Sequence, residues 1–138
     1  MSDEIYPVEL VAPDIEPYRK GNIGIDFVTS FDSGKPGPHV MINAVTHGNE
    51  ICGAIALDHL FKASVRPKHG KLTLGFINHL AYSNFDPENP GASRFVDEDF
   101  NRVWVEDRLE GLEVTAELRR ARELRPVFDT VDLLLDIH

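Results

Sequence analysis

His39-Val40-Met41-Ile42-Asn43-Ala44-Val45-Thr46-His47-Gly48-Asn49-Glu50 is the stretch on which the fold turns. His39 to Val45 is a mostly apolar run that reads as a strand, and polar residues and a glycine end it. From Asn49 onward Ile51, Ala54, Ile55, Leu57, Leu60 and Phe61 recur at helical spacing, until Pro67 forbids continuation. Lys71 to Ile77 reads as the next strand. Strand, helix, strand is a crossover unit, and such a unit lays its two strands parallel in one sheet.

Working outward, Ile23 to Val28 reads as an earlier strand and Ser33-Gly34-Lys35-Pro36-Gly37-Pro38 as a turn. Residues 1–22, broken by Pro7, Pro13 and Pro17, are an irregular lead-in. On the other side, Asn84 to Gly91 is rich in Pro, Asn and acidic residues and reads as a loop long enough to serve function. A second helix is expected from near Thr115, with Leu118, Ala121, Leu124 or Arg125, and Phe128 on one stripe. The last strand is expected from Val131 to Ile137. The pattern is that of one α/β domain with a largely parallel sheet and flanking helices.

The 138 residues, 42% hydrophobic and 27% charged, suffice for one ordinary core. A formal charge of −9 speaks against nucleic acid or an anionic membrane as partner, because both demand clustered Lys and Arg. The start, Met1-Ser2-Asp3-Glu4, is acidic and no apolar segment of signal or membrane-spanning type follows, so a cytoplasmic protein is expected. The single cysteine, Cys52, has no intrachain partner and is expected to be a small buried residue on the first helix. Gly34-Lys35 lacks the upstream glycine and following Ser or Thr of a phosphate loop. Oligomeric state stays open, a homo-oligomer included.

Chemistry concentrates at strand ends. His47 follows one apolar run and His138 another, in Leu133-Leu134-Leu135-Asp136-Ile137-His138, and in open α/β sheets sites form beyond the carboxyl ends of strands. Neighbouring strands would bring the two imidazoles together. Glu50 lies three residues after His47, and a chain turning into a helix there puts both side chains on one side, with Gly48 permitting the turn. Two imidazoles and a carboxylate, with a fourth position open, are the ligand count of a catalytic zinc site, one ion per chain. Asp136 lies on the same side of its strand as His138 and could orient one imidazole. His39, His59, His69 and His79 lack such partners and read as ordinary surface or core histidines. Arg94, Asn101 and Arg102 suit a small carboxylate-bearing substrate, since guanidinium forks onto carboxylate and stabilises an oxyanion. The alternative for these arginines is a surface network with Asp97, Glu98 and Asp99.

His47-Gly48-Asn49-Glu50, the run Arg94-Phe95-Val96-Asp97-Glu98-Asp99-Phe100-Asn101-Arg102 and Asp136-Ile137-His138 occur in that order. Together they resemble the succinylglutamate desuccinylase/aspartoacylase family of zinc-dependent amide hydrolases, related to zinc carboxypeptidases, over about residues 23 to 138. The resemblance implies a mixed, largely parallel sheet of the zinc carboxypeptidase type and hydrolysis of an N-acyl amino acid or similar small amide. It implies His47, Glu50 and His138 as zinc ligands, Arg94 on the scissile carbonyl, and Asn101 and Arg102 on substrate carboxylate or acyl oxygens. Phe100 stands where many relatives have Leu. In that family the glutamate acting as general base lies beyond the third ligand, so the chain is expected to be the N-terminal portion of a catalytic domain, incomplete at its C-terminus. Glu50 cannot be both ligand and base. Two other readings stay open: a metallocarboxypeptidase-like peptidase, and a non-catalytic metal-binding α/β module.

Overall fold

The computed structural model describes residues 7–138, so the first six residues of the expected lead-in lie outside the described residues. The elements in chain order are β1 (Val28–Asp32), β2 (His39–Ala44), α1 (Ile51–Lys62), β3 (Lys71–Phe76), α2 (His79–Tyr82), α3 (Glu106–Leu109), α4 (Ala116–Phe128) and β4 (Leu133–Asp136). Short 3-10 turns occupy Glu16–Tyr18, Pro90–Ser93 and Phe100–Arg102.

The crossover unit forms as its pattern requires. β2 and β3 are parallel, in register from His39 opposite Lys71 to Ala44 opposite Phe76. β4 lies parallel on the other side of β2, with Asn43 opposite Asp136. β1 adds to β3 antiparallel, giving a mixed, largely parallel sheet of order β1-β3-β2-β4. β2 and β4 are therefore neighbours, and their carboxyl ends lie side by side.

One expected strand moves. Ile23 to Phe27 is bent chain rather than strand, and pairing begins only at Val28. Gly21 and Gly24 take positive φ values of 55° and 79°, which coil the segment. Asn22 then turns its side chain onto Ser30, accepting from its N–H at 2.8 Å and donating to its carbonyl at 2.7 Å, a local bonding pattern that competes with a ladder.

Two apolar clusters hold the layers together. On one, Ala54 and Leu57 of α1 pack with Ala44, Leu72, Leu74 and Phe76 of the sheet. Gly53 allows that approach: a Cβ there would stand 2.9 Å from the Ala44 Cβ. On the other, Leu118, Ala121, Leu124 and Val127 of α4 pack with Val28, Met41 and Ile77. α4 begins where expected, because the Thr115 side chain accepts from Leu118 N at 3.0 Å and so caps it. The stripe closes on buried Val127, while Phe128 is half-buried against Trp104. Cys52 departs from expectation, for its position on α1 faces outward and the thiol is exposed. Among the described residues no helix is long and apolar enough to cross a membrane.

Candidate metal centre

The end of β2 delivers His47 through an unusual backbone. Val45 is fully buried and takes φ of 53°, a region that β-branched residues avoid, so the surrounding structure must hold it there. Its carbonyl accepts from Asn78 N at 3.0 Å. Gly48 follows the histidine in a space no side chain could enter: a Cβ would collide with the backbone of Ser93 and Ala81 and lie 2.6 Å from Tyr82 N. Its importance is this close approach of α2 and the Pro90–Ser93 turn. His47 and Glu50 are brought together by a turn, closed by Glu50 N donating to His47 O at 3.1 Å, and α1 starts only at Ile51.

His47 is 1% exposed and its ring lies between two carboxylates. Nδ1 is 2.9 Å from Glu50 Oε1, and Nε2 is 2.8 Å from Asp99 Oδ1. Glu50 Oε2 in turn lies 3.5 Å from Nε2 of His138, whose ring meets that of His47 edge to face at 5.4 Å. One donor atom from each of His47, Glu50 and His138 lies within 4.8 Å of the others. The adjacency of β2 and β4 thus assembles the three residues, and their donor set fits a zinc ion: two imidazoles and one carboxylate, with Asp99 holding the His47 nitrogen that faces away from Glu50.

Asp136 Oδ2 lies 3.2 Å from His138 Nδ1, and its Oδ1 accepts from Thr46 Oγ1 at 2.8 Å. Asp99 makes the corresponding contact to His47 and was not foreseen. Its carboxyl is held down to about 2, chiefly by the bond to His47, with Asn101 N–H and nearby Arg94 adding to it. Nothing in its spacing marks it as inward-facing.

The surface network weighed for the arginines forms only in part. Arg94 Nη2 lies 3.5 Å from Asp99 Oδ2 and stays partly exposed beside the centre. Asp97 accepts from Ala116 N at 2.6 Å, at the start of α4, and Glu98 is forked by Arg108 at 2.6 and 3.0 Å. Arg102 and Asn101 are exposed, and among the described residues Arg102 pairs with no carboxylate. A cavity of about 270 Å³ opens next to Thr46, Asn101 and Asp136, with Phe100, Trp104 and Leu134 as its apolar wall.

Glu117 and Arg120 also escaped the sequence reading. Both are buried, on the face of α4 that meets the sheet. Arg120 donates to the carbonyls of Ile77 at 2.7 Å and Phe76 at 2.9 Å, and its burial pushes the guanidinium pKa down. An acidic and a basic residue set one turn apart beside an apolar stripe was the available signal.

The family described as succinylglutamate desuccinylase/aspartoacylase catalytic domain matches residues 36–138. An aspartoacylase of Xenopus tropicalis is 32% identical over 119 residues, spanning 75% of this chain and 34% of that protein. The crystal structure of an aspartoacylase family protein from Mesorhizobium loti superposes with a TM-score of 0.61 at 25% identity, covering 88% of this chain and 38% of that one. The chain thus spans a little over a third of the length of these relatives. It belongs to the succinylglutamate desuccinylase/aspartoacylase family.

Proposed function

We propose that the chain is the N-terminal portion of the catalytic domain of a zinc-dependent deacylase, which cleaves the amide bond of an N-acyl amino acid or similar small carboxylate-bearing amide. The observation that carries this reading is the convergence of His47, Glu50 and His138 at the ends of two neighbouring strands. Zinc held there would supply Lewis acidity toward a carbonyl and lower the pKa of water.

The chain's own residues then have distinct tasks. Asp99 and Asp136 fix the rings of His47 and His138. Arg94, partly exposed beside Asp99, is placed to stabilise negative charge growing on a carbonyl oxygen. Arg102, free of a carboxylate among the described residues, and Asn101 are available to a substrate carboxylate or acyl oxygen. No cation lines the neighbouring cavity, so it suits the apolar part of a substrate. A reducing cytoplasmic setting agrees with the unpaired thiol of Cys52.

A second reading draws on the carboxylates. Glu50 lies between the two rings, Asp99 is engaged by His47 and Asn101 N, and Asp136 by His138 and Thr46. None of these three is left free to take a proton from water, so the base would come from residues outside this chain. The 138 residues alone would then bind metal without turnover. Elemental analysis of the purified chain and its His47→Ala and His138→Ala variants tests the centre: about one zinc per chain, lost in both variants, supports it. Assays with N-acyl amino acids and dipeptides separate deacylase from peptidase, and a metal-loaded chain inert toward both favours the metal-binding module.

A further inference from the structure

Glu117 is fully buried, yet nothing in the proposed chemistry uses it. Its carboxylate is filled by donors. Oε1 accepts from Asp97 N at 2.8 Å and Glu98 N at 3.1 Å, while Oε2 accepts from Val96 N at 3.0 Å and Asn78 Nδ2 at 2.8 Å. Three successive backbone N–H groups converging on one anion form a concave nest, here closed by a side chain from α4. Every group touching the carboxylate donates, so an acceptor-only side chain is what the space demands.

Both arms of this hub lead to His47. The first runs through Val96, Asp97 and Glu98 to Asp99, whose Oδ1 takes the His47 Nε2. The second runs through Asn78, whose backbone N–H holds the carbonyl of strained Val45, two residues before His47. Asn78 Oδ1 also accepts from Ala81 N at 3.3 Å and caps α2, against which Gly48 is packed. Arg120, one turn along α4, anchors the end of β3 immediately before Asn78.

We infer that Glu117 is a positioning residue for His47: through one buried carboxylate it ties together the loop that carries Asp99 and the β3 end that supports Val45. The inference rests on reading His47 as a metal ligand. Substituting Glu117→Gln keeps the shape but replaces one double acceptor by an NH₂ group, so two donors face a donor and one arm is released. Asp99 then loses its fixed relation to the imidazole without any change at the metal-binding residues themselves.

The test uses the uniformly ¹⁵N-labelled 138-residue chain, without and with zinc. In the wild type the His47 Nε2 proton is expected to give a slowly exchanging signal, whether or not Nδ1 is also protonated. In Glu117→Gln that proton should exchange at least about tenfold faster relative to the core amides of β3. Zinc affinity, measured by competition with a chromogenic chelator, should fall about tenfold, at the low end for outer supports of a metal site. Glu117→Asp, which keeps the charge but withdraws it by one methylene, should shift both readouts less, and decides the matter if the Gln variant does not fold. A lowered thermal midpoint with unchanged Nε2 exchange and zinc affinity would overturn the inference, leaving Glu117 a support of the fold alone. If the wild type takes up no zinc, the metal-centre reading fails by itself, and the exchange rates still test the link to His47.

Discussion

The two histidines of the candidate centre end neighbouring parallel strands, yet they are held in opposite ways. His47 is 1% exposed, clamped between Glu50 and Asp99, and backed by a turn with no room for a Cβ at Gly48. His138 has a side chain 52% exposed, 3.2 Å from Asp136 and 3.5 Å from Glu50, at the end of a strand whose Leu133, Leu134 and Leu135 are all exposed. One imidazole is preorganised by the packing of β3, α2 and α4, while the other depends on one strand and one carboxylate. Metal affinity in such a site comes largely from the part that needs no reordering, so perturbations behind His47 should outweigh equal ones at His138.

The largest effect is expected at Gly48. Gly48→Ala drives a methyl into the backbone of Ser93, Ala81 and Tyr82 and should cost about 3 kcal/mol or more in denaturant unfolding, with loss of zinc uptake. A folded variant of normal affinity would show that the His47 side is softer than its packing implies. Next come the two orienting carboxylates. Asp99→Asn should reduce zinc affinity by about 10- to 100-fold and Asp136→Asn by less than about tenfold, measured by chelator competition. The reverse order would break the comparison outright.

A smaller change sharpens it. Thr46→Val removes the 2.8 Å bond to Asp136 that links the two strand ends, and should cost about 1 kcal/mol in stability with a modest loss of affinity. The smallest effect is acid-dependent and again enters on the His47 side, through α2. Burial, with Arg120 and Arg19 nearby, pushes His79 down to about 4 from its usual 6.5. The folded state therefore binds this proton less well than the unfolded chain. Its stability contribution is complete above pH 6.5 and declines as pH falls toward 4, by about 1 kcal/mol after allowance for solvent screening of the half-buried ring. His79→Phe, which keeps a ring against Phe27, should remove that part of the slope in urea titrations at pH 7 and pH 4.5.

How much of this could be read from residues alone varies by element. β2, α1 and β3 declared themselves because a buried parallel strand is a continuous apolar run and α1 keeps helical spacing as far as Phe61, one residue before the helix ends. Thr115 announced α4 because a capping side chain acts within its own turn. Ile23 to Val28 misled because its apolar residues serve a bent chain, whose geometry depends on glycine φ angles and on Asn22 reaching Ser30. Cys52 misled for a related reason: helical spacing leaves open which flank of α1 meets the sheet, and the thiol falls outside it.

The sequence by itself determined β2, α1, β3, α4 and β4 and singled out His47, Glu50 and His138, because these depend on local periodicity and on residue chemistry at strand ends. Tertiary structure alone decided that β4 lies next to β2, so that the histidines meet, and that Asp99 rather than a surface partner takes the His47 Nε2. It also decided that buried Glu117 gathers four donors behind them. Such contacts join residues distant along the chain, where an acidic side chain looks the same whether it ends in water or in a nest of amides. Only packing removes the water and makes its hydrogen bonds obligatory.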